Sequence, residues 1–480
     1  MERLTAPPDA RRVESDGHQP RPPAPPDARR VRTDGTASLL SQHAHEAAAR
    51  NMQHLYVDYV KMRFFSLGLG TGAALQAFVA SVVIMLFAYD PRSGAIHALA
   101  ASYYAVFRAS FLLCFWFLLW GVALFVWKRH GVDARGALGL TRGPTYHAVL
   151  TAVFSALLVV CASLALYVLQ LIVPGLLPTP PDAWPVVASV APLALALWPT
   201  DAPPLLFLAY PGSRAARYGL FAEVAAVLCS PFSEPTFHRS LVADVLCSMP
   251  KVFSDVQYTL CLAAHRGDGA ACDAGDPLYR GVKTLLSFLP FWIRLAQSLR
   301  ALADAARAGG RPSSTRRHAL NTLKYLLSLT LVCVSTARSR SGTAALARAW
   351  IALSVASTAC NLAWDVHFDW GLFERDPDRG GGGGWWRPRL RLRSHRRYGE
   401  AFYWFALASN AVARLGWAVY VSPDQDVVEQ HVILLLGVVE LLRRFQWVLL
   451  RVEWQCARAT TREADEAAKP TETAPLNRVP

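Results

Sequence analysis

The chain has 480 residues, 53% of them hydrophobic and only 18% charged, with a formal net charge of +14. Soluble domains run to about 45–50% apolar and about 25% charged residues, so this balance excludes an ordinary soluble globular protein and reads as a polytopic membrane protein. The Lys and Arg residues sit mostly between apolar runs, which makes them topology signals and removes nucleic acid as an expected partner.

Residues 1–37 are expected to be a disordered, Pro/Arg-rich cytosolic tail, because they are too polar to bury a core. They hold a tandem repeat, PPDARRV, at Pro7–Val13 and again at Pro25–Val31. The first sixty residues lack the apolar core of a cleavable signal, so the first membrane span is expected to direct insertion. Residues 38–62 predict an amphipathic lead-in helix, with Leu39, Leu40, His43 and Ala47 at helical spacing.

Apolar runs follow at about 64–88, 102–127, 147–173 and 183–199, nearly free of charge at their centres, and predict an N-terminal four-helix membrane scaffold over 63–200. Pro203, Pro204 and Pro211 break the pattern, and Arg214 to Phe237 has interfacial character. A second membrane domain, 201–456, carries six further runs at roughly 239–264, 279–301, 318–336, 346–368, 400–421 and 427–453. Nearly all of these hold ionisable residues at membrane depth. Residues 457–480 are expected to be a disordered cytosolic tail. The fold class is therefore all-α: a polytopic membrane helix bundle of about ten transmembrane helices with both termini cytosolic. Basic connections around Arg129–Arg142, Arg214–Arg217, Arg307–Arg317 and Arg387–Arg397 alternate with basic-poor ones, in keeping with that topology. Arg338, Arg340 and Arg348 fall on the outer face and disagree with it. Arg375 to Arg397, with its run of glycines and basic block, predicts a flexible cytosolic loop attracted to anionic headgroups. The cysteines, Cys114, Cys161 and Cys261 among them, lie in or beside apolar runs without a C-x-x-C pair, and are expected to be inert buried thiols.

An arginine at the centre of a membrane helix costs about 2.5–3.5 kcal/mol on insertion scales, so charge at that depth calls for a partner or a function. Glu440 stands three and four residues before Arg443 and Arg444, within helical pairing distance. Asp365 and Asp369 are four apart and expected to face one way, as are Arg414 and Trp417 at three. Asp244, Ser248, Lys251 and Asp255 predict a polar stripe on one helix, and Lys324 with Tyr325 adds a cation and a phenol. Asp255, Arg294 and Arg300 lie nearer predicted helix ends, where they can snorkel. His367 is expected to be a packing residue. Lys and Arg guarded by carboxylates suit a pathway for an oxyanion, because guanidinium forks match phosphate and the carboxylates keep it releasable. The alternative for the same residues is a set of structural ion pairs, Asp365 with Arg414 for instance. No phosphate-cradling G-x-x-x-x-G-K motif, metal-ligand set or nucleophile constellation is present, so neither a cofactor, a metal nor an enzyme activity is expected.

The stretches LVADVLCSMPKVFSDVQYTLC, LPFWIRLAQSLRAL, NTLKYLLSLT, NLAWDVHFDWGLF, NAVARLGWAVYV and VVELLRRFQWVLLRVE together resemble the EXS family of phosphate exporters, in the family's order, over roughly residues 205–456. That family includes the receptor type for xenotropic and polytropic retroviruses, plant phosphate exporters and a yeast Golgi phosphate-recycling type. The resemblance implies an all-helical bundle whose last six helices enclose a phosphate path. By motif, Lys324, Tyr325, Arg414, Arg443 and Arg444 fall on phosphate-contacting positions, and Asp244, Asp365, Asp369, Trp417 and Glu440 on path-lining or gating ones. It also implies export of inorganic phosphate, from the Golgi or the plasma membrane. A Golgi trafficking or retention factor acting through protein contacts is the alternative. Expected partners are phosphate and the lipid bilayer, with a homodimer left open. Two departures stand out. The residues before the first span are too few for the SPX domain that many members carry, and Cys247, Pro250 and Lys251 replace small polar residues, which is expected to bend that end of the path.

Overall fold

The computed structural model describes residues 94–140, 145–181, 183–197, 214–265, 270–272, 276–309, 312–375, 390–421 and 430–467, with scattered helical positions between 46 and 79. The expected tail at 1–37, most of the lead-in helix and first span, the Pro203–Pro211 segment and residues 468–480 lie outside the described residues. The chain divides into a unit up to Phe65, of which Glu46, Met52 and Gln53 are described and helical, and a unit from Ser66 onward.

Twelve α-helices are described in the second unit: α1 Gly94–Arg129, α2 Ala134–Leu138, α3 Tyr146–Ile172, α4 Ala183–Leu197, α5 Arg214–Leu228, α6 Phe237–Leu246, α7 Pro250–Ala264, α8 Pro277–Arg307, α9 Pro312–Ser341, α10 Ala344–Trp364, α11 Glu400–Ala413 and α12 Gln430–Ala467. Ala105–Arg129, Tyr146–Ile172, Pro312–Ser341 and Ala344–Asp369 are long and apolar enough to cross a membrane. Others among the expected spans are long but interrupted by charge, as in α8 and α12, or short, as in α4 with its 15 residues. Arg338 does not break the helical reading near 318–364: α9 and α10 are joined by a tight turn at Gly342 (φ 61°), and the Arg338 guanidinium lies 4.0 Å from the centre of the Trp350 ring.

The helices depart from regular geometry at two places that position charged side chains. The expected continuous span at 239–264 is two helices, because Pro250 has no N–H to donate and its ring collides with the preceding turn; α6 stops at Leu246 and α7 restarts with the proline in its first turn. Beyond α10 the backbone widens into one π turn, Asp365–Asp369, closed by Trp370 N–H donating to Asp365 O at 2.8 Å.

α1 is shared by two cores. Leu112, Trp116 and Trp127 pack with Leu441, Trp447 and Leu450 of α12, while Val106 and Cys114 pack with Val160 and Tyr167 of α3. Gly437 lets α12 approach α1 closely, since a Cβ there would sit 3.1 Å from Leu112 Cδ1. Asp255 is not snorkelling and does not continue a stripe from Asp244: it is buried, clasped through both oxygens by Arg108 of α1 at 2.7 Å, with Lys251 Nζ at 3.2 Å. α7 is thereby tied to α1.

The middle of the expected flexible loop, residues 376–389, lies outside the described residues, and its two flanks pair. Phe373–Arg375 (β1) pairs antiparallel with Leu390–Leu392 (β2), after a turn at Gly371 (φ 50°) that leaves no room for a Cβ against Trp454. Arg393 is buried, ion-paired to Glu453 of α12 and donating to Trp370 O at 3.0 Å; Glu453 also accepts the Tyr403 hydroxyl at 2.5 Å and the Arg397 N–H at 2.7 Å. On the hairpin's outer side, slight burial pushes Glu374 up, but hydrogen bonds from Ser394 and Arg391 outweigh it and hold the carboxyl below its usual range. The expected tail also starts later than position 457, since α12 runs on to Ala467.

The bundle has two distinguishable ends. His130 Nδ1 lies 3.0 Å from Arg397 O and Cys456 Sγ donates to Asp133 O at 3.3 Å, so the basic connection after α1, the hairpin and the late part of α12 share one end. Arg108, 21 residues before Arg129 on α1, stands about 30 Å from that end at a helical rise of 1.5 Å per residue. Beyond its partner Asp255, a disulfide joins Cys261 to Cys272, which corrects the expectation of an inert thiol at Cys261, while Cys114 and Cys161 are free and buried. Arg108→Met would leave Asp255 buried beside Lys251 alone; a loss of about 3–5 kcal/mol is expected, read as an earlier thermal transition in detergent.

Candidate functional site

Five elements converge on the middle of α12: α6 with the turn after it, α8, α9, the π turn after α10, and the end of α11. Four buried or half-buried ion pairs meet there. Asp244 of α6 receives Arg294 of α8 at 2.8 Å and the Tyr325 hydroxyl of α9 at 2.9 Å. Asp365 receives Arg414 Nη2 at 2.5 Å, Asn410 Nδ2 at 2.9 Å and Trp447 Nε1 at 3.1 Å. Asp369 has Arg451 at 3.5 Å and shares the Trp447 indole N–H at 3.3 Å. Glu440 holds Arg443 through both oxygens, at 2.6 and 2.7 Å.

Two further cations enter none of these pairs. Lys324 is buried, and among the described residues its ammonium makes neither a hydrogen bond nor an ion pair; its Nζ lies 4.2 Å from the centre of the Tyr325 ring and 4.7 Å from that of Trp364. Arg444 is also buried, donates through Nε to Ser248 Oγ at 2.9 Å and lies with its guanidinium carbon 4.6 Å from the centre of the Trp447 ring. Both stand within Coulombic reach of Asp244. Aromatic faces attract a cation without neutralising it. The named cations thus outnumber the named carboxylates by two, and the surplus charge has no protein counter-ion in contact with it among the described residues.

A cavity of about 250 Å³ opens beside this cluster, lined among others by Asp244, Arg294, Tyr325, Asp369, Trp447 and Arg451. Arg317 and His318, at the start of α9, also line it. Because Arg451 precedes Cys456 by little more than a turn, the cavity lies toward the hairpin end of the bundle.

The structure brings together Asp244, Lys324, Tyr325, Asp365, Asp369, Arg414, Glu440, Arg443 and Arg444 of the expected set. Tyr325 is already committed to Asp244 and Arg294, and Arg414 and Arg443 each hold a carboxylate. Trp417 follows the end of α11, donates to Thr358 Oγ1 at 3.0 Å and packs edge-on against Trp350, so it meets α10 upstream of the Asp365 that Arg414 holds. His367 is exposed and takes no part. Arg294 does not snorkel; it is buried in the middle of a 31-residue helix and is the ion-pair partner of Asp244. Arg300 does sit half-exposed, paired with Asp304. Sequence reasoning missed Asn410, Trp447 and Arg451. Arg451 follows Arg444 by seven residues, two helical turns, and that spacing was a usable signal. Asn410 and Trp447 are neutral and carry no such mark.

A model of the EXS family matches residues 103–457. Over 254 residues, half of this chain, it is 30% identical to the Dictyostelium discoideum protein called SPX and EXS domain-containing protein 3, covering 25% of that protein. Phosphate transporter PHO1 homolog 9 of Arabidopsis thaliana is 28% identical over 248 residues, 50% of this chain and 29% of the relative. Human solute carrier family 53 member 1 is 24% identical over 262 residues, 49% of this chain and 35% of the relative. The similarity spans between a quarter and about a third of these relatives' length.

Removing one member of a buried pair is far costlier than removing one of an exposed pair. Arg294→Met is expected to cost about 3–5 kcal/mol and Arg300→Met less than about 1 kcal/mol, compared by thermal unfolding of the two variants in the same detergent.

Proposed function

The chain belongs to the EXS family, and from that premise we propose that it moves inorganic phosphate across a membrane through a path formed by α6 to α12. The observation that carries this reading is the pair of buried cations, Lys324 and Arg444, left over when the four ion pairs are complete. An oxyanion supplies the missing negative charge, and hydrogen bonds to a charged donor are worth about 1.5–3 kcal/mol each. The four carboxylates hold the neighbouring cations in place and limit how tightly an anion is kept, which a conducting path requires. A relative named as a phosphate transporter supports the choice of anion.

In this reading Lys324 and Arg444 contact phosphate directly. Arg414 and Arg443 shape the field from their own pairs, Tyr325 and Asp244 position Arg294, and Trp417 packs the far end of α11 against α10. The basic hairpin end faces the cytosol by the positive-inside rule, and the Cys261–Cys272 end faces an oxidising compartment, the lumen or the exterior. The cavity at the hairpin end then admits phosphate from the cytosol, and movement down an outward phosphate gradient is export. A trafficking or retention factor requires no uncompensated cation at membrane depth, and no contact among the described residues favours it. In this reading the protein is a transporter and not an enzyme.

Phosphate flux from loaded proteoliposomes tests this. Wild type is expected to release phosphate well above empty vesicles, Lys324→Met and Arg444→Met to slow release about ten- to a hundredfold at subsaturating phosphate, and Arg300→Gln to stay close to wild type. Release no faster than from empty vesicles contradicts the proposal.

A further inference from the structure

Among the four carboxylates of the ion pairs, Glu440 stands apart by its exposure. Its side chain is 34% exposed while its partner Arg443 is 5% exposed; Asp244, Asp365 and Asp369 are all at 15% or less. Glu440 Oε1 accepts the Ser248 hydroxyl at 2.6 Å and Arg443 Nη2 at 2.6 Å, whereas among the described residues Oε2 accepts only Arg443 Nε, at 2.7 Å. A carboxylate oxygen has two acceptor positions, so Oε2 keeps one for a donor from outside.

Ser248 bridges a cation to the same carboxylate, through its other oxygen. The same hydroxyl oxygen that donates to Glu440 receives Arg444 Nε at 2.9 Å, so both terminal nitrogens of Arg444 have no hydrogen-bond partner among the described residues. Ser248 sits in the turn between α6 and α7, anchored by its own N–H to Val245 O at 2.9 Å. α7 in turn is clasped to α1 through Arg108 and Asp255. Guanidinium donors and a carboxylate acceptor are thereby fixed side by side, one facing the oxygens of an anion and the other able only to receive a hydrogen.

We propose that Glu440 makes this path selective for a protonated oxyanion, with Arg444 binding its oxygens and Glu440 Oε2 accepting its O–H. The proposal rests on the phosphate-path reading above. At neutral pH inorganic phosphate keeps at least one P–OH, and arsenate keeps an As–OH of the same shape. Sulfate has no hydrogen to give, and its oxygen meets the Glu440 charge lone pair against lone pair. A site built around a hydrogen-bond partner rejects an analogue lacking it much more strongly than shape alone permits, here by about a hundredfold or more.

Radiolabelled phosphate, arsenate and sulfate are compared in the same proteoliposomes. Wild type is expected to pass phosphate and arsenate at similar rates and sulfate about a hundredfold more slowly. Glu440→Gln, equal in shape and without the charge, is expected to raise sulfate relative to phosphate at least about tenfold. Wild type carrying sulfate as fast as phosphate overturns the proposal without any variant, and settles the matter even where Glu440→Gln does not fold. An unchanged ratio in a Glu440→Gln protein that still moves phosphate overturns it as well. Wild type that moves none of the three anions instead overturns the phosphate path itself.

Discussion

Everything in the second half of this chain depends on one electrostatic constraint: charge at membrane depth must be compensated within reach of its own side chain. Four carboxylates and four arginines satisfy it pairwise, and three of the pairs double as ties between elements. Arg294 with Asp244 joins α8 to α6, Arg414 with Asp365 joins α11 to the π turn, and Arg451 with Asp369 joins α12 to the same turn. Lys324 and Arg444 are the remainder. They are held by the faces of Tyr325, Trp364 and Trp447, which stabilise a cation while leaving its charge available. An ion pair at these positions would be more stable and would bind nothing.

Irregular backbone serves the same end. Within a bilayer, non-helical segments persist only where protein or a polar cavity surrounds them. The break before Pro250 delivers Ser248 to Glu440 and Arg444, the π turn delivers Asp365 and Asp369 to one indole N–H, and the end of α11 delivers Arg414 to Asp365. Each joint costs backbone hydrogen bonds and each turns a polar side chain inward. A regular helix through any of the three would send at least one of those groups elsewhere.

Much of this was legible in the sequence because membrane energetics make a mid-span charge conspicuous: Asp244, Lys324, Asp365, Asp369, Glu440, Arg443 and Arg444 stand out against apolar neighbours. What resisted reading was local geometry. Helical spacing put Asp244 and Asp255 on one stripe, yet Pro250 ends the helix between them and sends Asp255 to Arg108. Arg294 was discounted because the apolar run ends soon after it, while the helix itself continues to Arg307. Arg393 looked like part of a solvated basic block, and only the position of Glu453 in the folded bundle explains its burial. The described residues yield four apolar spans where hydropathy suggested about ten: the first expected span lies mostly outside the described residues, α4 has only 15 residues, and α8 and α12 are interrupted by charge.

The central claim is that the surplus charge on Lys324 and Arg444 is a binding site for an anion from solution. A density map of the protein determined at saturating inorganic phosphate tests it most directly. The account predicts tetrahedral density in contact with the Arg444 guanidinium and in the field of Lys324, with the four ion pairs intact around it. A map in which Arg444 and Lys324 have instead closed onto Asp244 or Glu440, with no density between them, would contradict it.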